Sequence, residues 1–328
     1  MRQGQRARIF RVVTGGGVLY LAIMLSEKPW KPEAIVRLIL GVMICVFAGS
    51  FLVAAMQFFT VGGKANPWLF GGLMAGALMG LGGALVTIQK PWPLEFFRRR
   101  LVIFLTCLYA GLAFGAWAQH SLGTPADKPV LNMVVVTLCF QGAALVLISR
   151  FLREHQVGWG GAFGFAGPGQ VWALLAGALG ALLFLPVGWS LQMASAQVML
   201  RMQIKPVAQQ AIQVMQTAEV WPDRIYLGVV AILLAPVAEE MLFRGILYPA
   251  IKQAGYPRVA LWGTALLFAA THHNAATFLP LTLLAIMLAL LYEKTNNLLA
   301  PIAAHCLFNA MNFLLLQLVQ QKSGHAGW

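Results

Sequence analysis

Charged side chains are scarce in this chain of 328 residues. Asp, Glu, Lys and Arg together make up 10% of the sequence, and only 10 residues are acidic. Soluble globular proteins average about 25% charged residues. Because 59% of the residues are hydrophobic, the composition excludes an ordinary soluble domain and predicts a polytopic membrane protein.

Cysteine is also rare, and its placement excludes two further classes. Cys45, Cys107, Cys139 and Cys306 all lie within apolar runs, and no two of them form a C-x-x-C pair. The pattern argues against a disulfide framework and against a zinc knuckle. It favours buried cysteines that act as small hydrophobic side chains.

The net charge of +13 could suggest a nucleic-acid partner. The basic residues, however, cluster beside apolar runs, as they do in cytoplasmic loops that face anionic lipid. No soluble basic region is present that could carry nucleic-acid binding. We therefore expect contact with membrane lipid and no nucleic-acid partner.

Long apolar runs recur along the chain and predict an all-α, polytopic transmembrane helical bundle of about nine spans. A shorter apolar run at 12–25 follows four arginines and is too short to span, so it predicts an interfacial or partly inserted helix. The nine candidate spans are 35–59, 67–88, 101–119, 131–149, 170–193, 225–249, 259–273, 277–292 and 298–319.

The distribution of Lys and Arg predicts the orientation. With the N-terminus inside, the inside segments hold 16 of these residues and the outside segments hold 6. The positive-inside rule then favours a cytoplasmic N-terminus, and we expect an integral protein of a bacterial inner membrane.

A polar connection at 194–224 divides the chain in two. We expect a transmembrane bundle of unknown role at 1–200, poor in embedded polar groups, and a second bundle at 201–328 that holds nearly all of them.

The second bundle carries three polar clusters, each in its own apolar run. The first is E-E-M-L-F-R, with Glu239, Glu240 and Arg244. Glu240 and Arg244 are four apart and share a helix face, so they can form an ion pair. Glu239 lies about 100° round the helix, which makes it the better candidate for a free carboxylate facing water. Ionisable residues inside a membrane usually mark a function.

The other two clusters contain the histidines. Phe268 and His272 share one face of their run, and so do His305 and Asn309. A buried carboxylate beside a histidine can act as a general base on water, and a His–Asn pair can stabilise an oxyanion. The same residues could instead form a zinc site of Glu239, His272 and His305, although no H-E-x-x-H motif is present.

Two readings without hydrolysis also fit these residues. Intramembrane Glu and His residues can relay protons in a proton-coupled transporter, although no inverted repeat is visible. Polar residues also bond across membrane helices for purely structural reasons, as in a non-catalytic scaffold or immunity protein.

The three motifs together resemble those of the CPBP family of intramembrane proteases, which includes the type II CAAX prenyl endopeptidases and relatives linked to bacteriocin processing or immunity. That family's pattern is E-E-x-x-x-R, then F-x-x-x-H, then H-x-x-x-N or H-x-x-x-D. Here it reads E-E-M-L-F-R at 239–244, F-A-A-T-H at 268–272 and H-C-L-F-N at 305–309. The resemblance covers about residues 225–320.

The resemblance implies an intramembrane endopeptidase that acts on a peptide or lipidated protein, either prenylated (CAAX-type) or leader-bearing. It implies that Glu239 activates water with help from His272, and that His305 and Asn309 stabilise the oxyanion. Glu240 and Arg244 would support the site. Relatives are described both as metalloproteases and as glutamate-dependent enzymes, so the resemblance leaves a zinc ion open.

Overall fold

The computed structural model describes residues 27–60, 71–72, 74–76, 78, 82, 129–166, 169–218 and 220–325. Within these ranges all regular structure is helical, which confirms the predicted all-α fold. The predicted helix at 12–25 lies outside the described residues. The predicted spans 67–88 and 101–119 lie largely or wholly outside them.

Six of the described helical segments are long and apolar enough to cross a membrane, and Pro257–Ala270 is a shorter apolar helix. Seven of the nine predicted spans coincide with these segments. The polytopic helical bundle is therefore confirmed, while the total of nine spans stays a prediction. The six segments are Pro32–Ala54, Val130–Glu154, Gln170–Arg201, Trp221–Gln253, Ala275–Thr295 and Leu299–Leu318.

The described residues form twelve helices, and three π-helical stretches interrupt two of the spans. The helices are α1 (Pro32–Thr60), α2 (Pro129–Thr137), α3 (Ala143–Glu154), α4 (Trp159–Phe163), α5 (Gln170–Arg201), α6 (Gln210–Thr217), α7 (Trp221–Val229), α8 (Ala235–Glu240), α9 (Tyr248–Gln253), α10 (Pro257–Ala270), α11 (Ala275–Thr295) and α12 (Leu299–His325). The π-helical stretches are Leu138–Gly142, Val230–Leu234 and Met241–Leu247.

Local sequence signals set the bounds of the helices around the site. Proline occupies the first turn of α10 at Pro257, where no intrahelical donor is needed. The Asn274 side chain caps α11 by accepting from the Thr277 N–H at 3.1 Å. The helix ends at Asn296, whose φ of 48° places it in the left-handed region that asparagine tolerates.

Helix α5 packs along both α11 and α12. The approach is closest at Gly177, where an added Cβ would lie 2.2 Å from the Ala300 carbonyl oxygen. Glycine therefore allows the two backbones to touch, as small residues commonly do between membrane helices. Helix α5 is thus packed directly against α11 and against α12, the helix that carries His305 and Asn309.

Helix α10 is short for a membrane-spanning segment. Its 14 residues rise about 21 Å, against a hydrocarbon thickness of about 30 Å. It pairs with α11 through a tight turn at Thr271–Asn274. His272 therefore lies at the end of a helix that stops short of the full bilayer thickness.

Candidate active site

Helix α8 carries the two adjacent glutamates between two π-helical stretches. Val230–Leu234 precedes it and Met241–Leu247 follows it, so only six residues are α-helical. Pro236 lacks the N–H that a regular helix would bond to the fourth residue before it. Single-turn π-helical segments are frequent at functional sites, because they change which side chains face inward.

Glu240 and Arg244 form the ion pair that their spacing predicts. Arg244 Nη1 donates to Glu240 Oε1 at 2.6 Å, and both side chains are fully buried. Arg244 Nη2 donates to the Ala285 carbonyl at 3.1 Å, and its guanidinium lies 4.6 Å from the Phe268 ring centre. The arginine is thus held from three directions, which fixes the position of the Glu240 carboxylate.

His305 lies between the two glutamates. Its Nδ1 is 2.9 Å from Glu240 Oε1, and its Nε2 is 3.9 Å from Glu239 Oε2. Because an ionised carboxylate only accepts hydrogen bonds, Nδ1 is the protonated nitrogen that donates to Glu240. The Nε2 edge of the ring is therefore directed towards Glu239.

Glu239 is the more open of the two carboxylates. Its side chain is 12% exposed, whereas that of Glu240 is 0% exposed. In the described part of the chain no donor lies within hydrogen-bond distance of Glu239. The difference agrees with the facing argument, in which Glu240 supports Arg244 and Glu239 keeps its oxygens available.

Phe268 connects the remaining side chains of the site. Its ring centre lies 4.9 Å from that of His272 and 5.6 Å from that of His305. The backbone carbonyl of Phe268 lies 2.8 Å from His272 Nδ1, which must donate to it. This bond leaves His272 Nε2 as the nitrogen that can accept a proton.

Asn309 makes a bond that its motif did not predict. Its Nδ2 donates to the Ala231 carbonyl at 2.8 Å, and Ala231 lies in the π-helical stretch before α8. The bond ties α12 to the span that carries the glutamates. One of the two amide N–H groups of Asn309 is used in this way, and the other remains.

The structure brings six of the seven predicted residues into one cluster and places Asn309 one turn further along α12. Sequence reasoning missed the partners that are backbone carbonyls, namely those of Ala285 and Ala231, because a sequence motif shows only side chains. It also missed Gln141, a buried polar residue in the region expected to be poor in such groups. A lone glutamine in an otherwise apolar run was the available signal.

The predicted zinc ligands do not gather as a metal site does. Among the residues that the structure describes, no group of three His, Cys, Asp or Glu side chains is arranged to hold a metal ion. His305 already uses Nδ1 on Glu240. The mechanism proposed below therefore contains no step through a metal, and the ligand set Glu239, His272 and His305 stays a prediction.

The fold and the cluster define an integral membrane protein with a polar site buried inside a helical bundle. Residues 221–311, from α7 into α12, match the family model described as Type II CAAX prenyl endopeptidase Rce1-like. The predicted resemblance is thus confirmed for residues 221–311, which are similar to this family of endopeptidases.

One curated relative matches a short stretch of the chain. The uncharacterized protein YpbD of Bacillus subtilis (strain 168) is 37% identical over 83 residues. The alignment covers 24% of this chain and 40% of that protein. The chain therefore matches less than half the length of this relative. No solved structure matches the chain.

Proposed function

We propose that the protein is an intramembrane endopeptidase that hydrolyses a peptide bond with a water activated by Glu239. The observation that carries the proposal is the position of His305 between a carboxylate that is 12% exposed, that of Glu239, and the fully buried carboxylate of Glu240. This arrangement lies within the part of the chain that matches the endopeptidase family.

The first step is attack of water on the scissile carbonyl. Glu239 removes one proton from the water, and the new C–O bond converts the carbonyl oxygen into an oxyanion. His305 in its imidazolium form and the second N–H of Asn309 donate hydrogen bonds to this oxyanion. The buried carboxylate of Glu240 offsets the positive charge of the imidazolium.

The second step breaks the C–N bond of the tetrahedral intermediate. The leaving nitrogen takes the proton that Glu239 removed from water, and His272 assists this transfer through its free Nε2. The oxyanion re-forms the carbonyl as the C–N bond breaks, and the products are a carboxylic acid, which loses its proton to water, and a new amine. Arg244 takes no part in proton transfer. It holds the Glu240 carboxylate in hydrogen-bond contact with His305.

We further propose that the substrate is a membrane-associated peptide, either prenylated at a CAAX-type C-terminus or carrying a leader, and that membrane lipid surrounds the helical bundle. The Lys and Arg distribution supports a cytoplasmic N-terminus. In this orientation α12 begins on the cytoplasmic side, and His305 lies six residues, about 9 Å, from its start at Leu299. Cleavage then takes place in the cytoplasmic half of the membrane.

The test is peptide cleavage by the purified chain in nanodiscs, with a lipidated C-terminal peptide and a leader-type peptide as probes. Glu239→Gln removes the base and keeps the shape, so we expect cleavage to fall about 10²–10⁴-fold. The matched control is Glu293→Gln, which changes a buried carboxylate that bonds Tyr248 and Lys252 outside the site. Full cleavage by folded Glu239→Gln would contradict the mechanism.

Three further arms separate the other readings. Loss of cleavage on chelation, with recovery on adding zinc, would assign the histidines to a metal instead. Proton-driven uptake into liposomes, abolished by Glu239→Gln in a chain that cleaves nothing, would favour a transporter. Normal function in vivo from a Glu239/His272 double variant would favour a non-catalytic scaffold or immunity protein.

A further inference from the structure

The span Val130–Glu154 carries the buried polar residue Gln141 in a stretch that packs against the helix of the two glutamates. Its middle is the π-helical stretch Leu138–Gly142, in which Gln141 is the buried residue with 9% of its surface exposed. This stretch packs against α8, the helix of Glu239 and Glu240. Neighbouring Phe140 packs against the core cluster that includes Phe268. Gln141 thus belongs to the surroundings of the site, although it lies 80 residues before the family match.

The side chain of Gln141 is not satisfied within the folded chain. Its Oε1 atom is buried and has no hydrogen-bond partner among the described residues. Glu240 Oε2, on the facing helix α8, is in the same condition. A buried acceptor without a donor is costly, more so in a membrane where bulk water is absent. The two helices therefore present acceptors that a ligand with N–H groups would satisfy.

A peptide main chain supplies such groups, but only where it is unwound. In a helix each N–H is already bonded to a carbonyl of the same segment. An extended segment offers one free N–H and one free C=O at each residue. The carboxamide of glutamine can accept from the first and donate to the second, which a purely apolar side chain cannot do.

We propose that Gln141 is a substrate-binding residue that holds the extended main chain of the peptide next to the scissile bond. Its Oε1 accepts from a peptide N–H, and its Nε2 donates to a peptide carbonyl. The proposal rests on the proposed function and adds to it the unwound state of the substrate. Because the contact is with the main chain, Gln141 acts on peptides of any side-chain sequence.

Binding and cleavage are measured separately, so that the two proposals can fail separately. The binding probe is a fluorescent lipidated C-terminal peptide, titrated onto the Glu239→Gln chain in nanodiscs. Adding Gln141→Met keeps the length of the side chain and removes both hydrogen bonds. We expect the dissociation constant to rise about tenfold. The matched control is Gln192→Met, at an exposed position of α5, with no change in affinity expected.

A series of ester-substituted peptides then locates the contact. Replacing one peptide N–H at a time by an ester oxygen removes one donor from the substrate. We expect one position near the cleavage site at which the ester weakens binding to the chain with Gln141 and has no effect on the Gln141→Met chain. If Gln141→Met fails to fold, Gln141→Asn replaces it, because the amide of the shorter side chain does not reach the peptide main chain.

Any of three results overturns the proposal: an unchanged affinity in folded Gln141→Met, no ester position whose effect depends on Gln141, or no peptide bound by any variant. A water molecule then satisfies the amide. A Gln141-dependent ester effect supports it. If that effect is present while the chain with native Glu239 cleaves nothing, the binding role stands and the endopeptidase function falls.

Discussion

Removing Arg244 tests the idea that an ion pair organises the site. In the native chain Arg244 bonds Glu240 Oε1 and the Ala285 carbonyl and lies over the Phe268 ring. Arg244→Met keeps a long apolar side chain there and removes all three contacts. Glu240 then remains fully buried with His305 as its one partner among the described residues.

The size of the effect follows from that burial. Removing one partner of a buried ion pair typically destabilises a protein by about 3–5 kcal/mol, because the other charge stays uncompensated. We expect a loss of this size in the free energy of unfolding. The measurement is unfolding in mixed detergent micelles of increasing SDS content, followed by tryptophan fluorescence. The matched control is Arg258→Met, at an exposed position, where a change within about 0.5 kcal/mol is expected.

A double variant separates charge from packing. If the uncompensated charge causes the loss, adding Glu240→Gln to Arg244→Met restores part of the stability, since no buried charge is left. Purely additive effects of the two changes would refute the reasoning. So would a folded Arg244→Met chain that is as stable as the native one.

Two further predictions concern positions outside the site. Gly177→Val forces a Cβ against the Ala300 carbonyl, and we expect it to lower the free energy of unfolding by about 1–3 kcal/mol or more. Gly158→Val, where an added Cβ meets open space, is the control and is expected to be tolerated. The same micelle titration measures both variants. Burial lowers the pKa of Lys28 from 10.5 to about 8, so the unfolded chain binds more protons between these values. The free energy of unfolding should therefore rise as the pH is raised from about 8 towards 10.5. Unfolding midpoints measured across this range should show a smaller rise for Lys28→Met than for the native chain.

Sequence alone predicted those features of the site that depend on local helical spacing. The Glu240–Arg244 pair is four residues apart and forms within one helical segment, so the motif was sufficient to predict it. The long apolar runs were likewise sufficient to predict an all-α membrane bundle, because a lipid-exposed backbone must satisfy its own hydrogen bonds.

The features that sequence missed depend on contacts between distant segments. The bond from Asn309 to the Ala231 carbonyl joins two helices across 78 residues, and it depends on a π-helical stretch that no side-chain pattern reveals. The burial of Gln141 depends on how its span packs against α8. An apolar run shows that a segment is embedded, but it does not show which of its sides faces a neighbour.

The contact between Gly177 and the Ala300 backbone bears on how this site could be transplanted into another protein. The family match begins at residue 221, yet α5 lies earlier in the chain and packs along α11 and α12. A graft that started at Trp221 would leave an open groove along these two helices, filled by lipid chains in place of a helix. The portable unit of this site therefore includes α5, and also the π-helical stretch Leu138–Gly142 that packs against α8.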